Sequence, residues 1–219
     1  MANIKIFGSP ASSEVARVLT CLFEKDVEFQ LIRVDTYRGP QRMPEYLKLQ
    51  PRGEALTFED GKVTLVESRK ICRHIAEHYP EKCYKNLLGA GTLERAAIEQ
   101  WLQTEEHSFD PTCSDLVFSL AVDPKLDAQW VENNRSKKEL DKVLDIYDQR
   151  LKDNRYLAGD KFTLADLSHL PNTQRLKSDK RCKALIEKRV NVNRWWGEIS
   201  RRASWQKVVA MQQEPPPKF

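Results

Sequence analysis

Two short stretches of the sequence carry groups able to do chemistry on a small charged molecule. The segment Gly8-Ser9-Pro10-Ala11-Ser12-Ser13 follows the apolar run Ile4-Lys5-Ile6-Phe7 and precedes a stretch with Val15, Val18, Leu19 and Leu22 at helical spacing. Ser12 and Ser13 therefore fall at a helix start, where unpaired N–H groups and the positive end of the dipole favour an anion such as a thiolate or a phosphate. The same position suits a serine that merely caps the helix, and spacing alone leaves both readings open. Arg17, about a turn further on, adds positive charge, although an arginine there reads by default as a surface residue. The second stretch is Glu67-Ser68-Arg69. Ser68 and nearby backbone amides suit a carboxylate, and Glu67 suits an ammonium group. An amino acid carries both groups on one carbon, so two such helix starts in one small unit point to a zwitterionic thiol. An ordinary helix start remains the alternative for each. No Gly-x-Ser-x-Gly elbow is present, and no His and Asp lie near these serines in sequence, which argues against an acyl-transfer nucleophile.

The elements that must hold these residues follow from hydrophobic periodicity. Ile4–Phe7 reads as a strand, Ser13–Lys25 as a helix and Glu28–Val34 as a second strand, an order that implies a parallel pair. Ala55–Phe58 and Val63–Leu65 flank Glu59-Asp60-Gly61-Lys62, a hairpin signal in which glycine suits a type I′ turn. A helix from about Ser68 to Tyr79 completes a small mixed sheet with helices packed on it. Beyond residue 80 the texture changes. Helical periodicity runs through Leu93–Phe109, Glu132–Leu151 and Leu164–Leu176, and Ile186–Val209 is long enough for more than one helix. Thr163 and Asp166 stand at the spacing of a capping box. The expected division is an αβ domain over 1–80, a linker over 81–91, an all-helical domain over 92–213 and a Pro-rich tail over 214–219.

Composition excludes several classes of function. The 219 residues carry a formal net charge of +4 with the two signs interspersed, and the most basic stretch, Arg175–Arg189, lacks interleaved aromatics. Nucleic acid is therefore not an expected partner. No apolar run approaches the ~20 residues of a membrane span, and the start lacks the apolar core of a signal peptide. The expectation is a soluble, cytoplasmic protein without a membrane partner. The five cysteines, Cys21, Cys72, Cys83, Cys113 and Cys182, form no C-x-x-C pair and no zinc spacing, so no metal is expected.

The sequence resembles the phi-class glutathione transferases of plants. The resemblance is carried by Gly8 to Ser12, Arg17-Val18-Leu19, Glu24 to Phe29, Pro44-Glu45-Tyr46-Leu47, Phe58-Glu59-Asp60-Gly61 and Leu65 to Cys72 in the first part. In the second part it is carried by Glu99-Gln100-Trp101-Leu102, Tyr156 to Asp160, Phe162 to Pro171 and Asn193-Arg194-Trp195-Trp196. It covers nearly the whole chain except the Pro-rich tail.

This resemblance implies an α/β plus all-α architecture: a thioredoxin-like N-terminal domain that binds glutathione, followed by an all-helical domain that contributes the hydrophobic-substrate site. It implies a cytosolic homodimer that joins the glutathione thiolate to small hydrophobic electrophiles, with peroxidase activity as a further expectation. Ser12 matches the serine that donates to the glutathione sulfur, with Ser13 as its neighbour. Glu67 and Ser68 match the pair that grips the γ-glutamyl end. Gln41 and Arg42 stand where the class has His-Lys facing the glycyl carboxylate. Glu54 and Ala55 fall in the segment that pairs with the cysteinyl part. Tyr37 and Phe118 are the candidates for the hydrophobic wall. The departure is Pro51-Arg52-Gly53-Glu54-Ala55-Leu56, where the class reads Pro-Phe-Gly-Gln-Val-Pro with a cis proline last. Leu56 replaces that proline, and Glu54 places an acid where the ligand carries carboxylates. These changes raise a second expectation, a dimeric carrier of hydrophobic molecules with degenerate chemistry.

Overall fold

The computed structural model describes residues 4–33, 56–79 and 86–214. The chain divides into two units, Met1–Asn86 joined by Ala203–Phe219, and Leu87–Arg202.

The first unit is built on a four-stranded sheet in the order β2-β1-β3-β4. Strand β1 (Ile4–Phe7) pairs in parallel with β2 (Phe29–Ile32) and antiparallel with β3 (Thr57–Asp60), which pairs antiparallel with β4 (Val63–Leu65). The parallel pair requires a crossover, supplied by α1 (Ser13–Glu24). Val15, Val18, Leu19 and Leu22 on α1 are buried, as their spacing demands, and so are Ala16, Arg17, Thr20 and Cys21 between them. This helix is enclosed on nearly every side. Helix α2 (Ser68–His78) lies along one flank of it.

The hairpin between β3 and β4 forms where expected, with a different turn. Gly61 has φ +60°, but Lys62 is not in the positive-φ region. A type I′ turn needs positive φ at both central residues, so the single glycine in first place matches type II′ instead.

Helices of the second unit follow in chain order: α3 (Thr92–Thr104), α4 (Asp110–Val122), α5 (Ala128–Asn133), α6 (Arg135–Asp153), α7 (Leu164–Leu167), α8 (Leu170–Ser178), α9 (Ala184–Glu187) and α10 (Val190–Ile199). Between α3 and α4 the chain makes a wide π-helical turn over Glu105–Phe109. Pro111 explains the need for it: the ring lacks an N–H and crowds the carbonyl four residues back. The helix expected over Leu164–Leu176 is broken in two for the same reason, because Pro171 sits near the start of α8. On α6, Leu140, Leu144, Tyr147 and Leu151 are buried at intervals of three and four residues and form one wall of the core.

The capping box at the start of α7 is present, and Asp166 does more than close it. Its fully buried carboxylate accepts from the Leu157 amide at 3.0 Å, the Thr163 amide at 3.0 Å and the Trp195 indole at 2.9 Å. Burial pushes its pKa up to about 6, against the pull of those donors.

The final helix, α11 (Ala203–Gln213), lies outside the helical unit in which its position over 92–213 would put it. It packs on α1 instead. Trp205 and Val208 are fully buried, the Lys207 ammonium lies 5.2 Å from the Phe23 ring centroid, and Ser204 Oγ donates to the buried Glu24 carboxylate.

Candidate functional site

Gly8 takes the chain out of β1 with φ +153°, a value glycine tolerates and other residues rarely adopt. The Gly8 amide donates to Ile32 O at 3.0 Å, and the Ser12 amide donates to Ser9 O at 2.9 Å, so the turn is closed by its own backbone. Ser12 then occupies the N-cap of α1 in extended conformation, φ −72° and ψ 135°, and its carbonyl accepts from Ala16 N at 2.9 Å. Its hydroxyl does not cap the helix and has no partner among the described residues. The capping alternative therefore does not hold for the Ser12 side chain. Ser13 is the first helical residue. Across the turn, Gln212 Nε2 on α11 donates to Pro10 O at 2.9 Å and ties the loop to the last helix.

At the second helix start, Glu67 is the N-cap residue of α2. Its carbonyl accepts from Ile71 N at 2.8 Å, while its carboxylate is exposed and makes no capping bond. Ser68, only 1% exposed, accepts from Arg17 Nη1 at 2.7 Å. Arg17 is thus no surface residue: it is itself 1% exposed and reaches from α1 to α2. The bond joins positions 51 apart in sequence, which periodicity does not reveal. One signal was available: Arg17 is the one charged residue in the run 15–22, and an arginine enclosed by such a run must find an acceptor inside.

One turn deeper the contact between the helices repeats. Cys21 Sγ donates to Cys72 O at 3.7 Å and Cys72 Sγ to Arg17 O at 3.8 Å. Contacts that advance by four residues on both helices mean that α1 and α2 run parallel, with their N-termini at the same end. Ser12 and Glu67 sit at those two ends. The local field is that of two helix starts with a buried guanidinium behind them, an arrangement that favours anions, while Glu67 offers one exposed negative charge for a cation.

The cysteines among the described residues do not serve such a site. Cys21 and Cys72 are buried, and burial pushes the Cys21 thiol well above its ordinary range. Burial likewise raises Cys113, and takes Cys182 up to about 11. None of these four supplies a thiolate at the helix starts. Among the described residues no cluster of three His, Cys, Asp or Glu side chains stands where it could hold a metal ion.

The remaining candidates are distributed otherwise. Tyr37, Gln41, Arg42, Glu54 and Ala55 lie outside the described residues. Leu56, the residue in place of the cis proline, is fully buried just before β3, and no cis peptide bond occurs among the described residues. Phe118 lies on α4 in the second unit and is 68% exposed.

Residues 2–77 match the family model of the glutathione S-transferase N-terminal domain, and residues 109–203 match that of the C-terminal domain. Over 212 residues the chain is 40% identical to glutathione S-transferase F11 of Arabidopsis thaliana, covering 95% of this chain and 98% of that protein. The chain belongs to the glutathione transferase family. Within it the transferase stands in the phi class of plants, as its relatives show. It is 41% identical over 223 residues to glutathione S-transferase 3 of Zea mays, covering 99% of this chain and 98% of that one. The crystal structure of glutathione transferase F2 from Populus trichocarpa superposes with a TM-score of 0.89 at 47% identity, covering 96% of this chain and 99% of that one. The fold is the family's own, a thioredoxin-like domain and a helical domain, and glutathione is the co-substrate of such a transferase.

Proposed function

We propose that this transferase conjugates glutathione to small hydrophobic electrophiles, with Ser12 donating a hydrogen bond to the sulfur. The observation that carries the reading is the Ser12 hydroxyl, which stands at the start of α1 with no partner among the described residues. Donation to the sulfur favours the thiolate over the thiol, as does the helix dipole, so a larger share of bound glutathione is nucleophilic at neutral pH. The thiol proton leaves to solvent. The sulfur lone pair then forms a bond to the electrophilic carbon, and the leaving group departs with its bonding electrons. Ser12 is a stabiliser of the anion, not a covalent nucleophile. Ser68 and Glu67 are assigned to the carboxylate and the ammonium of the γ-glutamyl end, Gln41 and Arg42 to the glycyl carboxylate, and Glu54 and Ala55 to the cysteinyl backbone. Tyr37 and Phe118 are assigned to the apolar part of the electrophile. Attack of the same thiolate on a hydroperoxide breaks the O–O bond to give a sulfenic acid and an alkoxide, which takes a proton from solvent to become the alcohol, and a second glutathione thiol then yields the disulfide and water.

A second reading, a carrier of hydrophobic molecules with degenerate chemistry, is favoured by Glu54-Ala55-Leu56. Calorimetric titration with glutathione, beside a conjugation assay, decides between the two. Binding together with conjugation that Ser12→Ala lowers by about tenfold or more supports the enzyme. No binding by the unaltered chain, restored by Glu54→Gln with Leu56→Pro, supports the carrier and overturns the first reading. A cytoplasmic homodimer is the assembly we propose for it, and sedimentation at micromolar concentration reads the oligomeric part: a monomer there overturns it.

A further inference from the structure

We propose that Arg17 is a positioning residue that fixes Ser68 as a hydrogen-bond donor to the α-carboxylate of a γ-glutamyl ligand. The inference rests on the proposed glutathione site and adds to it a residue that touches no ligand. A guanidinium has five N–H groups and no acceptor, so in the 2.7 Å contact Ser68 Oγ accepts. The hydroxyl's single proton must then point elsewhere. Inside a helix a serine commonly spends that proton on the carbonyl four residues back, but Ser68 is the first residue of α2 and has no helical carbonyl there. The proton is thus held for a group in front of the helix start. Donation from a hydroxyl that itself accepts from a cation is strengthened by polarisation, and an anion is the acceptor it favours.

The electrostatics agree. Arg17 and Ser68 are each 1% exposed, so the hydrogen bond between them is little weakened by competing water. Glu67, the adjacent residue, is exposed and makes no capping bond, which places a negative group next to a directed donor. A free α-amino acid end, with ammonium and carboxylate on one carbon, matches that order of charges. Loss of Arg17 leaves the Ser68 hydroxyl free to rotate and removes the charge behind it.

The test is calorimetric titration with two ligands: glutathione, and the analogue in which the α-carboxylate of the γ-glutamyl residue is replaced by hydrogen. The unaltered chain is expected to prefer glutathione by about tenfold, the worth of one charge-assisted hydrogen bond. In Arg17→Met and in Ser68→Ala the preference falls to about one, and the double variant falls no further, because Arg17 acts through Ser68. Arg17→Gln restores an N–H donor without the charge and regains part of the preference. A merely structural role weakens both ligands alike and leaves their ratio intact. An Arg17→Met variant with native circular dichroism and an undiminished ratio overturns the assignment. Where Arg17→Met does not fold, Arg17→Gln and Ser68→Ala carry the test, and losses that add in their double variant overturn it. Absence of glutathione binding by the unaltered chain overturns the functional reading together with this one, whereas binding with unchanged ratios in the variants overturns this one alone.

Discussion

Ser12 is the residue to which we assign stabilisation of the thiolate, and its side chain is notable for what it leaves undone. A serine at an N-cap ordinarily stabilises its helix by accepting from an amide of the first turn. Here the hydroxyl makes no such bond. Ser12→Ala is therefore expected to leave stability within about 0.5 kcal/mol of the parent. It should lower kcat/KM for conjugation by about tenfold to a hundredfold, as loss of a donor to a charged acceptor implies. A pH–rate profile should show the thiol of bound glutathione titrating at higher pH in the variant, since the anion has lost a donor. A destabilised variant with unchanged kinetics would show that the serine caps after all. The protein's own thiols supply a second expectation at this scale. Cys21, Cys72, Cys113 and Cys182 are all buried and should resist an aromatic disulfide reagent at neutral pH until denaturant is added. That Ser12, Glu67 and Ser68 stand at helix starts was legible in the sequence because local rules place serines and acids there. Arg17 could not be assigned, because its partner is fixed by the packing of two helices whose residues are distant in the chain.

At the scale of elements, the determinants legible in sequence were those that act within a few residues. The capping box was readable from Thr163 and Asp166, but the Trp195 indole that also binds Asp166 comes from another helix. The strand pair and the hairpin were readable from alternation and from Gly61, whereas the turn type depended on Lys62 staying out of the positive-φ region. The break before α8 had a visible cause in Pro171, which helical periodicity through Leu164–Leu176 overrode. Asp166→Ala leaves three N–H donors without their carboxylate and is expected to cost about 3 to 5 kcal/mol in urea unfolding. The same carboxyl gives stability a pH dependence. Its folded pKa, about 6, lies above the ordinary value of 3.8, so the folded state holds the proton more tightly than the unfolded chain. Its contribution is fully present below about pH 3.8 and is lost as pH rises through about 6, a change of about 3 kcal/mol. Unfolding of the parent and of Asp166→Asn between pH 4 and 7 reads this, as a difference that shifts against the parent with rising pH. A difference independent of pH would contradict it.

On the scale of the whole molecule, membership of the family rests on matches spread along the chain, and the division into an αβ part and a helical part was legible from the change of texture near residue 80. The place of α11 was not, because a helical pattern carries no record of which sheet or bundle it will join. Its attachment to the first unit has a functional side. Gln212 holds the loop that leads to Ser12, and the Arg33 guanidinium donates to Met211 O beside it. Gln212→Ala is expected to keep the fold and to raise KM for glutathione severalfold by loosening that loop, with stability changed by about 1 kcal/mol. Unchanged kinetics would show that the loop needs no such tie.

The grouping of α11 with α1 also sets an order of events in synthesis. A ribosome releases the sheet, α1 and α2 first, and then some hundred and twenty residues of the helical unit, before the partner of α1 emerges. Trp205 and Val208, which close that face, appear only after the whole helical unit has been made. The nascent sheet unit must wait with apolar surface uncovered while the inserted unit is made, a period in which chaperones have their opportunity. Closure of the sheet unit thus waits on synthesis of the helical one, and a stalled chain ending at Arg202 holds the whole helical unit but lacks the helix that covers α1.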